Sequence, residues 1–145
     1  MKVLSVRQPW AHAIVSGEKD VENRTRNVVG AWRGPIAIHA GLTIDAGASS
    51  TPQRGLLEEI RRRDHPTLIV GAILGVVNVI EVHLAQSCRN RGGSGLCSPW
   101  AQDGTVHIVL ADARMLADPI PYRGALGLRE LDLDTTLRIK KGLSA

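Results

Sequence analysis

The segment from Gly17 to Arg24 holds the side chains whose types and spacing are best suited to chemistry. Lys19, Glu22 and Arg24 place three formal charges within six residues. Glu22 and Arg24 are two residues apart, so on a β-strand their side chains point to the same face. Lys19 lies at the turn that leads into this strand. Such a face suits a polar cleft, but a solvated edge strand whose charges discourage edge pairing has the same pattern.

Each of the three charged groups is suited to more than one task. A lysine in a cleft can contact phosphate, or act as a general acid or base when burial lowers its pKa. Glu22 is suited to accept a proton or to hydrogen-bond the amino edge of cytosine or adenine, and Arg24 to make a forked phosphate contact. Binding and catalysis therefore both stay open, with Lys19 and Glu22 as the catalytic pair if the protein is an enzyme.

Other polar and aromatic side chains are candidates for the same surface. Trp32 lies in a loop and is suited to base stacking, whereas Trp10 also fits the apolar stripe of a helix. His39 is suited to acid–base work or to a structural hydrogen bond. Besides Lys19, Glu22 and Arg24, the predicted nucleic-acid contacts are Gln8, Trp10, Trp32, Arg33, His39 and Arg123.

The elements that must position these residues are short strands and two convincing helices. One helix spans 9–16 and ends at Gly17 as a C-cap, and the other begins at 51. The predicted strands span 2–6, 20–24, 34–40, 71–83, 106–111 and 126–131, with a bend in the fourth at Gly75. Strands that return with few helices predict a mixed α+β fold, a small barrel rather than a doubly wound parallel sheet.

The order of the sequence motifs indicates one family. Gln8-Pro9-Trp10-Ala11 is followed by Gly-x-Lys-x-x-Glu-x-Arg, and then by Trp32-Arg33-Gly34-Pro35 and, near the end, Pro121-Tyr122-Arg123-Gly124. In this order and wording, from about Leu4 to Leu133, the chain resembles the activating signal cointegrator homology (ASCH) family of the PUA-like superfamily. The resemblance implies a single PUA-like domain over 1–145, a closed or nearly closed β-barrel flanked by short helices. The last ten or so residues are expected to form a flexible basic tail.

The resemblance also narrows the function. PUA-like domains are associated with RNA binding and with recognition of modified bases, and ribonuclease cleavage is another activity proposed for the family. Some small bacterial ASCH proteins resemble amidohydrolases that act on acetylated cytidine and use a lysine, a threonine three residues later and a glutamate. Lys19 matches that lysine, but Glu22 stands in the threonine position. A nucleic-acid-binding module is therefore predicted, with an enzyme acting on RNA or a modified nucleoside, or a coactivator-type protein adaptor, as alternatives.

Composition agrees with a folded, nucleic-acid-binding protein. The chain has 145 residues, 43% of them hydrophobic, and contains no Phe, so Val, Ile, Leu and Ala must form the core. The formal net charge is +4, and the estimated pI of 9.6 favours an anionic partner through counterion release. RNA is the favoured partner.

The cysteines and histidines predict neither a disulfide scaffold nor a metal site. Cys88 and Cys97 are too few for a scaffold, and with His83 and His107 they match no close-pair zinc spacing, so free thiols, no metal and no cofactor are expected. No signal peptide and no apolar run of membrane length precede or interrupt the strands, which predicts a cytoplasmic protein without membrane contact. The segment 86–104 is loop-like, and its basic, Gly-rich run from Arg89 to Gly95 is suited to wrap a phosphate backbone.

Overall fold

The computed structural model describes residues 1–89 and 95–144, and for Arg89 it describes the main chain only. Its strands and helices alternate irregularly along the chain. The strands are β1 (Lys2–Gln8), β2 (Val21–Arg24), β3 (Gly34–Ile44), β4 (Ala72–Leu84), β5 (Val106–Pro121) and β6 (Leu128–Glu130). The α-helices are α1 (Trp10–Val15), α2 (Arg54–Asp64), α3 (Ala85–Arg89) and α4 (Leu133–Ser144), and a 3-10 turn spans Ala48–Ser50.

All six described strands form one mixed sheet in the order β2-β5-β4-β3-β1-β6. β1 and β3 pair in parallel, and the other neighbours are antiparallel. The predicted mixed α+β class is confirmed. The sheet is open, because β2 and β6 do not pair with each other in the described part of the chain, so closure into a barrel stays a prediction.

Alternating side chains of the strands build core on both faces of the sheet. Leu4 and Ile36 belong to the cluster that also buries α1, whereas Val3 and Ala37, one residue away along each strand, belong to a second cluster with Ile139 of α4. A third cluster packs α2 against β2 through Trp100 and neighbouring apolar residues. None of the described helices has the length and apolar character that a membrane crossing requires.

Gly75 lies in β4 next to a register irregularity between β4 and β5, where the sequence predicts a bend. A Cβ atom at this position would lie 2.4 Å from the carbonyl oxygen of Arg114. Only glycine therefore fits without a shift of the backbone.

Three segments differ from the sequence-based expectation. β5 continues to Pro121 instead of ending at Ala111, and within its outer half only Leu116 and Ile120 are buried. Up to Ser144, the last ten or so residues, expected as a flexible basic tail, belong to α4, because Asp132 caps the first turn of this helix and Ile139 is fully buried. The expected loop 86–104 begins inside α3, and the basic run within it falls largely on 90–94, outside the described residues.

Candidate functional site

The end of α1 delivers the chain into β2 through a tight turn. Gly17 takes a positive φ of 89°, which glycine adopts without strain, and the amide of Lys19 bonds the carbonyl of Ala13 over 2.9 Å. β2 then pairs antiparallel with β5, with Glu22 opposite Ile108. The turn and the pairing together fix where the three charged side chains point.

The Glu22 carboxylate binds both neighbouring cations. Lys19 Nζ donates to Oε1 over 2.9 Å and Arg24 Nε donates to Oε2 over 3.0 Å. Glu22 and Arg24 thus share a face, as the strand spacing predicts. We call Lys19, Glu22 and Arg24 the charged triad.

Lys19 does not occupy the place expected from the sequence. It was expected at a cleft entrance, but its side chain is only 2% exposed. Its ammonium group also donates to the carbonyl oxygen of Val21 and lies 5.6 Å from the ring centroid of Trp10. Because these contacts occupy the ammonium group, Lys19 orders the triad from inside the protein and has little surface for a phosphate contact.

The environment keeps Glu22 ionised. Burial by itself raises the pKa of this carboxyl, but the charges and hydrogen bonds of Lys19 and Arg24 outweigh burial, so the pKa lies below its usual value. A carboxylate of this kind accepts hydrogen bonds at neutral pH. It is a weak general base, and it has no proton to give as an acid.

Arg24 is the member of the triad that reaches solvent. Its side chain is 26% exposed, and Nη2 donates to the carbonyl oxygen of Ser5 in β1 over 2.9 Å. The guanidinium is therefore held at two points, by the carboxylate of Glu22 and by a main-chain oxygen. Such anchoring lowers the entropy that a phosphate contact would cost.

Ser5 of β1 extends this hydrogen-bond network to β3, because His39 of β3 is its direct partner in the strand pairing. Ser5 Oγ lies 2.9 Å from His39 Nδ1, and His39 Nε2 lies 2.8 Å from the carbonyl oxygen of Tyr122. A carbonyl only accepts, so Nε2 carries the ring proton and Nδ1 accepts from the serine hydroxyl. Burial lowers the pKa of His39 more than the bond to Tyr122 raises it, which makes the ring neutral at pH 7.

Sequence reasoning missed Ser5. It is a half-buried polar residue between the buried Leu4 and Val6, and such an interruption of a strand is the only signal that the sequence offers. Gly124 packs against this pair, because a Cβ atom there would lie 2.5 Å from Ser5 Oγ. The neighbouring Arg123 is exposed.

Gln8 and Trp10 are held by structural contacts. Gln8 is 1% exposed; its amide nitrogen bonds the carbonyl of Ile69 and its oxygen accepts from the amide of His12. The Trp10 indole donates to Asp45 over 2.8 Å. Both side chains therefore support the fold around α1, and the amide of Gln8 and the indole N–H of Trp10 already have hydrogen-bond partners.

Trp32 and Arg33 lie on the loop between β2 and β3. Trp32 is half-buried against the main core, and Lys2 Nζ lies 5.1 Å from its ring centroid. Its indole nitrogen is buried and has no hydrogen-bond partner among the described residues. Arg33 is exposed and donates to the carbonyl groups of Gly30 and Trp32 in its own loop.

Two cavities beside α1 do not enclose the charged triad. A groove of about 360 Å³ runs between α1 and α2 and is lined by His12, Leu57 and other residues outside the triad. A pocket of about 40 Å³ borders Lys19, but its lining includes neither Glu22 nor Arg24. The expected common pocket for all three charges is therefore not formed by these cavities, and Arg24 presents a surface contact instead.

A second polar cluster lies at the far end of β4 and β5. The structure brings together His83, Cys88, Cys97 and His107, whose ligand atoms all lie within 4.8 Å of one another. The sequence spacing gave no sign of this, because the two histidines meet only through the strand pairing of β4 with β5.

Comparison with known proteins identifies the family. The ASCH domain model matches residues 4–120. The chain belongs to the ASCH domain family. Comparison with curated protein sequences finds no match.

Solved structures agree at the level of the fold. The ASCH protein from Zymomonas mobilis has a TM-score of 0.57 and 18% sequence identity, over 97% of this chain and 93% of that one. A serine-to-alanine and a tyrosine-to-phenylalanine variant of the Zymomonas mobilis protein give the same score and identity, with 94% and 96% of those chains covered. The resemblance inferred from the motifs is thus confirmed.

Proposed function

We propose that this ASCH domain is a nucleic-acid-binding module that favours RNA and reads it at the surface around Arg24. The family is generally proposed to bind RNA, and the net charge of +4 suits an anionic partner. Besides Arg24, the proposed contacts include Arg123, whose neighbour Gly124 packs against Ser5, and Trp32 and Arg33 of the loop between β2 and β3. A PUA-like curvature of the sheet, approaching a barrel, would bring these segments to one surface.

The fixed guanidinium of Arg24 carries the proposal. An arginine has five N–H donors, and Arg24 uses one at Glu22 and one at Ser5. For the remaining donors, the described part of the chain shows no acceptor. A phosphate oxygen of single-stranded RNA is the acceptor whose charge and forked geometry match them.

The other two members of the triad act on Arg24 in this proposal. Glu22 orients the guanidinium through one carboxylate oxygen. Lys19 binds the other oxygen and compensates the remaining negative charge, so that Glu22 can stay buried and ionised. Lys19 and Glu22 are then positioning residues and do not transfer protons. This division follows from the burial of Lys19 and the lowered pKa of Glu22.

Arg7 is a further basic residue that sequence reasoning did not select. It is exposed on β1, two residues after Ser5. We include it in the proposed RNA surface as a phosphate contact.

An enzyme acting on RNA or a modified nucleoside is the second candidate, favoured by the Ser5–His39 pair. A serine hydroxyl that donates to a neutral histidine, itself oriented by a carbonyl, has the arrangement of an activated nucleophile. Against this, Gly124 packs directly over the hydroxyl. Glu22 also stands where the family's amidohydrolases have a threonine, so a threonine route has no nucleophile here.

Binding of the wild-type chain to a short, fluorescein-labelled single-stranded RNA tests the proposal. Raising salt from about 50 mM to about 200 mM should lower the association constant along a straight log–log line, because phosphate contacts release counterions. Single-stranded and duplex DNA of the same length serve as competitors. Absence of binding to all three nucleic acids at the lowest salt contradicts the proposal and favours the adaptor alternative.

The same samples separate binding from catalysis. Wild-type protein incubated with RNA and with acetylated cytidine should leave both intact. Cleavage of RNA or release of acetate that Ser5→Ala abolishes, with RNA affinity retained, would instead establish the enzyme.

A further inference from the structure

We propose that His83, Cys88, Cys97 and His107 form a structural zinc site that fastens α3 and the segment 95–105 to the paired strands β4 and β5. Two thiolates and two imidazoles are a donor set typical of tetrahedral zinc, and four protein ligands leave no open position for catalysis. Two thiolates also balance the charge of Zn²⁺, so the site can be buried without a net charge.

Three separate parts of the fold bring the ligands together. His83 in β4 pairs directly with His107 in β5, which places their rings at a centroid distance of 5.2 Å. Cys88 comes from α3, immediately after β4, and Cys97 from the turn-rich segment that leads back towards β5. The ligands thus join both strands to α3 and to the segment 95–105.

The distances between ligand atoms are close to the edges of a zinc tetrahedron. His107 Nδ1 lies 3.3 Å from His83 Nε2, 3.3 Å from Cys88 Sγ and 3.5 Å from Cys97 Sγ. Bond lengths of about 2.0 Å to nitrogen and about 2.3 Å to sulfur give a nitrogen–nitrogen edge of roughly 3.3 Å and a nitrogen–sulfur edge of roughly 3.5 Å. The distance from His83 Nε2 to Cys88 Sγ is 2.8 Å, so this edge must open by about 0.7 Å on that geometry.

The outer nitrogen of each ring has the partner that a ligating histidine needs. His107 Nε2 lies 2.7 Å from the carbonyl oxygen of Gln102, and His83 Nδ1 lies 3.0 Å from a carboxylate oxygen of Glu81. Both partners accept, so the outer nitrogen of each ring carries a proton, and the inner nitrogen, which faces the cluster, is the one left to bind a metal ion. In two neutral rings, inner lone pairs 3.3 Å apart repel each other, and a shared cation converts this repulsion into two bonds.

The site combines buried ligands with one exposed ligand. His107 is 0% exposed and Cys88 is 4% exposed, whereas Cys97 is exposed. A metal ion can therefore enter from the side of Cys97 and lose contact with water once this last ligand binds. Such closure is typical of sites that stabilise a fold.

The fastened segment contacts β2, next to the charged triad. Asn23 donates from Nδ2 to the carbonyl of Trp100 over 2.9 Å and accepts from the amide of Gln102 over 2.8 Å. Trp100 also meets the Trp10 ring edge to face at 6.4 Å. Because zinc holds this segment, removal of the metal loosens the packing of Trp100.

Cobalt substitution of the full chain tests the site directly. Under reducing conditions the metal-free protein should take up stoichiometric Co²⁺, with thiolate charge-transfer absorption and the intense visible bands of a tetrahedral site. Zinc should displace the cobalt. Elemental analysis of protein expressed with zinc supplementation should find one zinc per chain, and a chelator should lower the Tm.

Cys97→Ser is the matched variant, because Cys97 is exposed and its loss leaves the core unchanged. It should bind cobalt at least tenfold more weakly, and its Tm should no longer respond to the chelator. His65→Asn removes an exposed histidine outside the cluster, at a left-handed position that asparagine tolerates, and should behave as wild type.

Two results would overturn the proposal. One is wild-type protein that takes up no stoichiometric zinc or cobalt under reducing conditions. The other is a cobalt spectrum without thiolate charge transfer, or one that Cys97→Ser leaves unchanged. The wild-type cobalt spectrum by itself shows whether thiolates bind the metal, so the proposal can be tested even if a variant folds poorly. Neither result depends on RNA binding.

Discussion

Arg24 donates from Nη2 to the carbonyl oxygen of Ser5 over 2.9 Å and so joins β2 to β1. These strands lie four places apart in the sheet order. With neighbouring strands about 4.8 Å apart, a flat sheet would separate them by about 19 Å, beyond the reach of an arginine side chain. The sheet is therefore strongly curved, and Arg24 bridges its concavity while keeping part of its guanidinium in solvent.

Lys19→Met should destabilise the protein by about 3 kcal/mol, because it removes one cation from a buried carboxylate and keeps most of the apolar stem. Arg24 still compensates part of the Glu22 charge, which places the loss at the low end for a broken buried pair. Urea unfolding measures it. Lys140→Met, at an exposed position of α4, is the charge-matched control, and equal stability of the two variants would show that the triad does not stabilise the fold.

Glu22 should make the stability depend on acid pH. Its pKa in the folded protein lies below the usual 4.5, so the unfolded chain binds more protons and the free energy of unfolding falls as pH drops below about 4.5. The contribution is complete above that pH and is lost as pH falls through the folded-state pKa. Asp64, whose pKa is lowered to about 2, adds a slope of the same sign.

Glu22→Gln isolates the part that comes from Glu22. Unfolding of this variant should show a shallower decline between pH 5 and pH 3, since the Asp64 contribution is common to both proteins. If the free energy of unfolding depended on pH in the same way in wild type and variant, Lys19 and Arg24 would not lower the pKa of the Glu22 carboxyl.

Ile139→Ala should cost about 3 kcal/mol, because Ile139 is 0% exposed and large-to-small changes at such sites leave a cavity. Leu137→Ala, in the same helix but 55% exposed, should cost less than about 1 kcal/mol. Urea unfolding of both variants is the measurement. Similar, small losses would mean that α4 is not packed against the sheet.

The sequence predicted much of the strand framework and the relative position of two members of the charged triad. Strand alternation placed Glu22 and Arg24 on one face, and in the structure Arg24 donates a hydrogen bond to the Glu22 carboxylate. It did not predict the burial of Lys19, because a lysine after a helix turn is usually solvated, and only the packing of Trp10 and β2 encloses this one.

The remaining differences come from long-range pairing. Ser5 meets His39, and His83 meets His107, through strand register that spacing along the chain does not reveal. For α4 a local signal did exist: Leu131, just before the capping Asp132, is followed at every fourth residue by Thr135, Ile139 and Leu143. The basic pair Lys140-Lys141 suggested a tail and obscured that helical period.

The most direct test of the proposed RNA surface compares Arg24→Gln with Arg62→Gln, which removes the same charge from an exposed position on α2. Affinity for single-stranded RNA should fall about tenfold for Arg24→Gln, equivalent to about 1.4 kcal/mol, with a salt slope smaller by about 1. Arg24→Lys should also bind weakly, because it keeps the charge and loses the fork. Equal affinities and salt slopes for Arg24→Gln and Arg62→Gln would show that RNA binding is spread over the surface charge and that Arg24 has no special part in it.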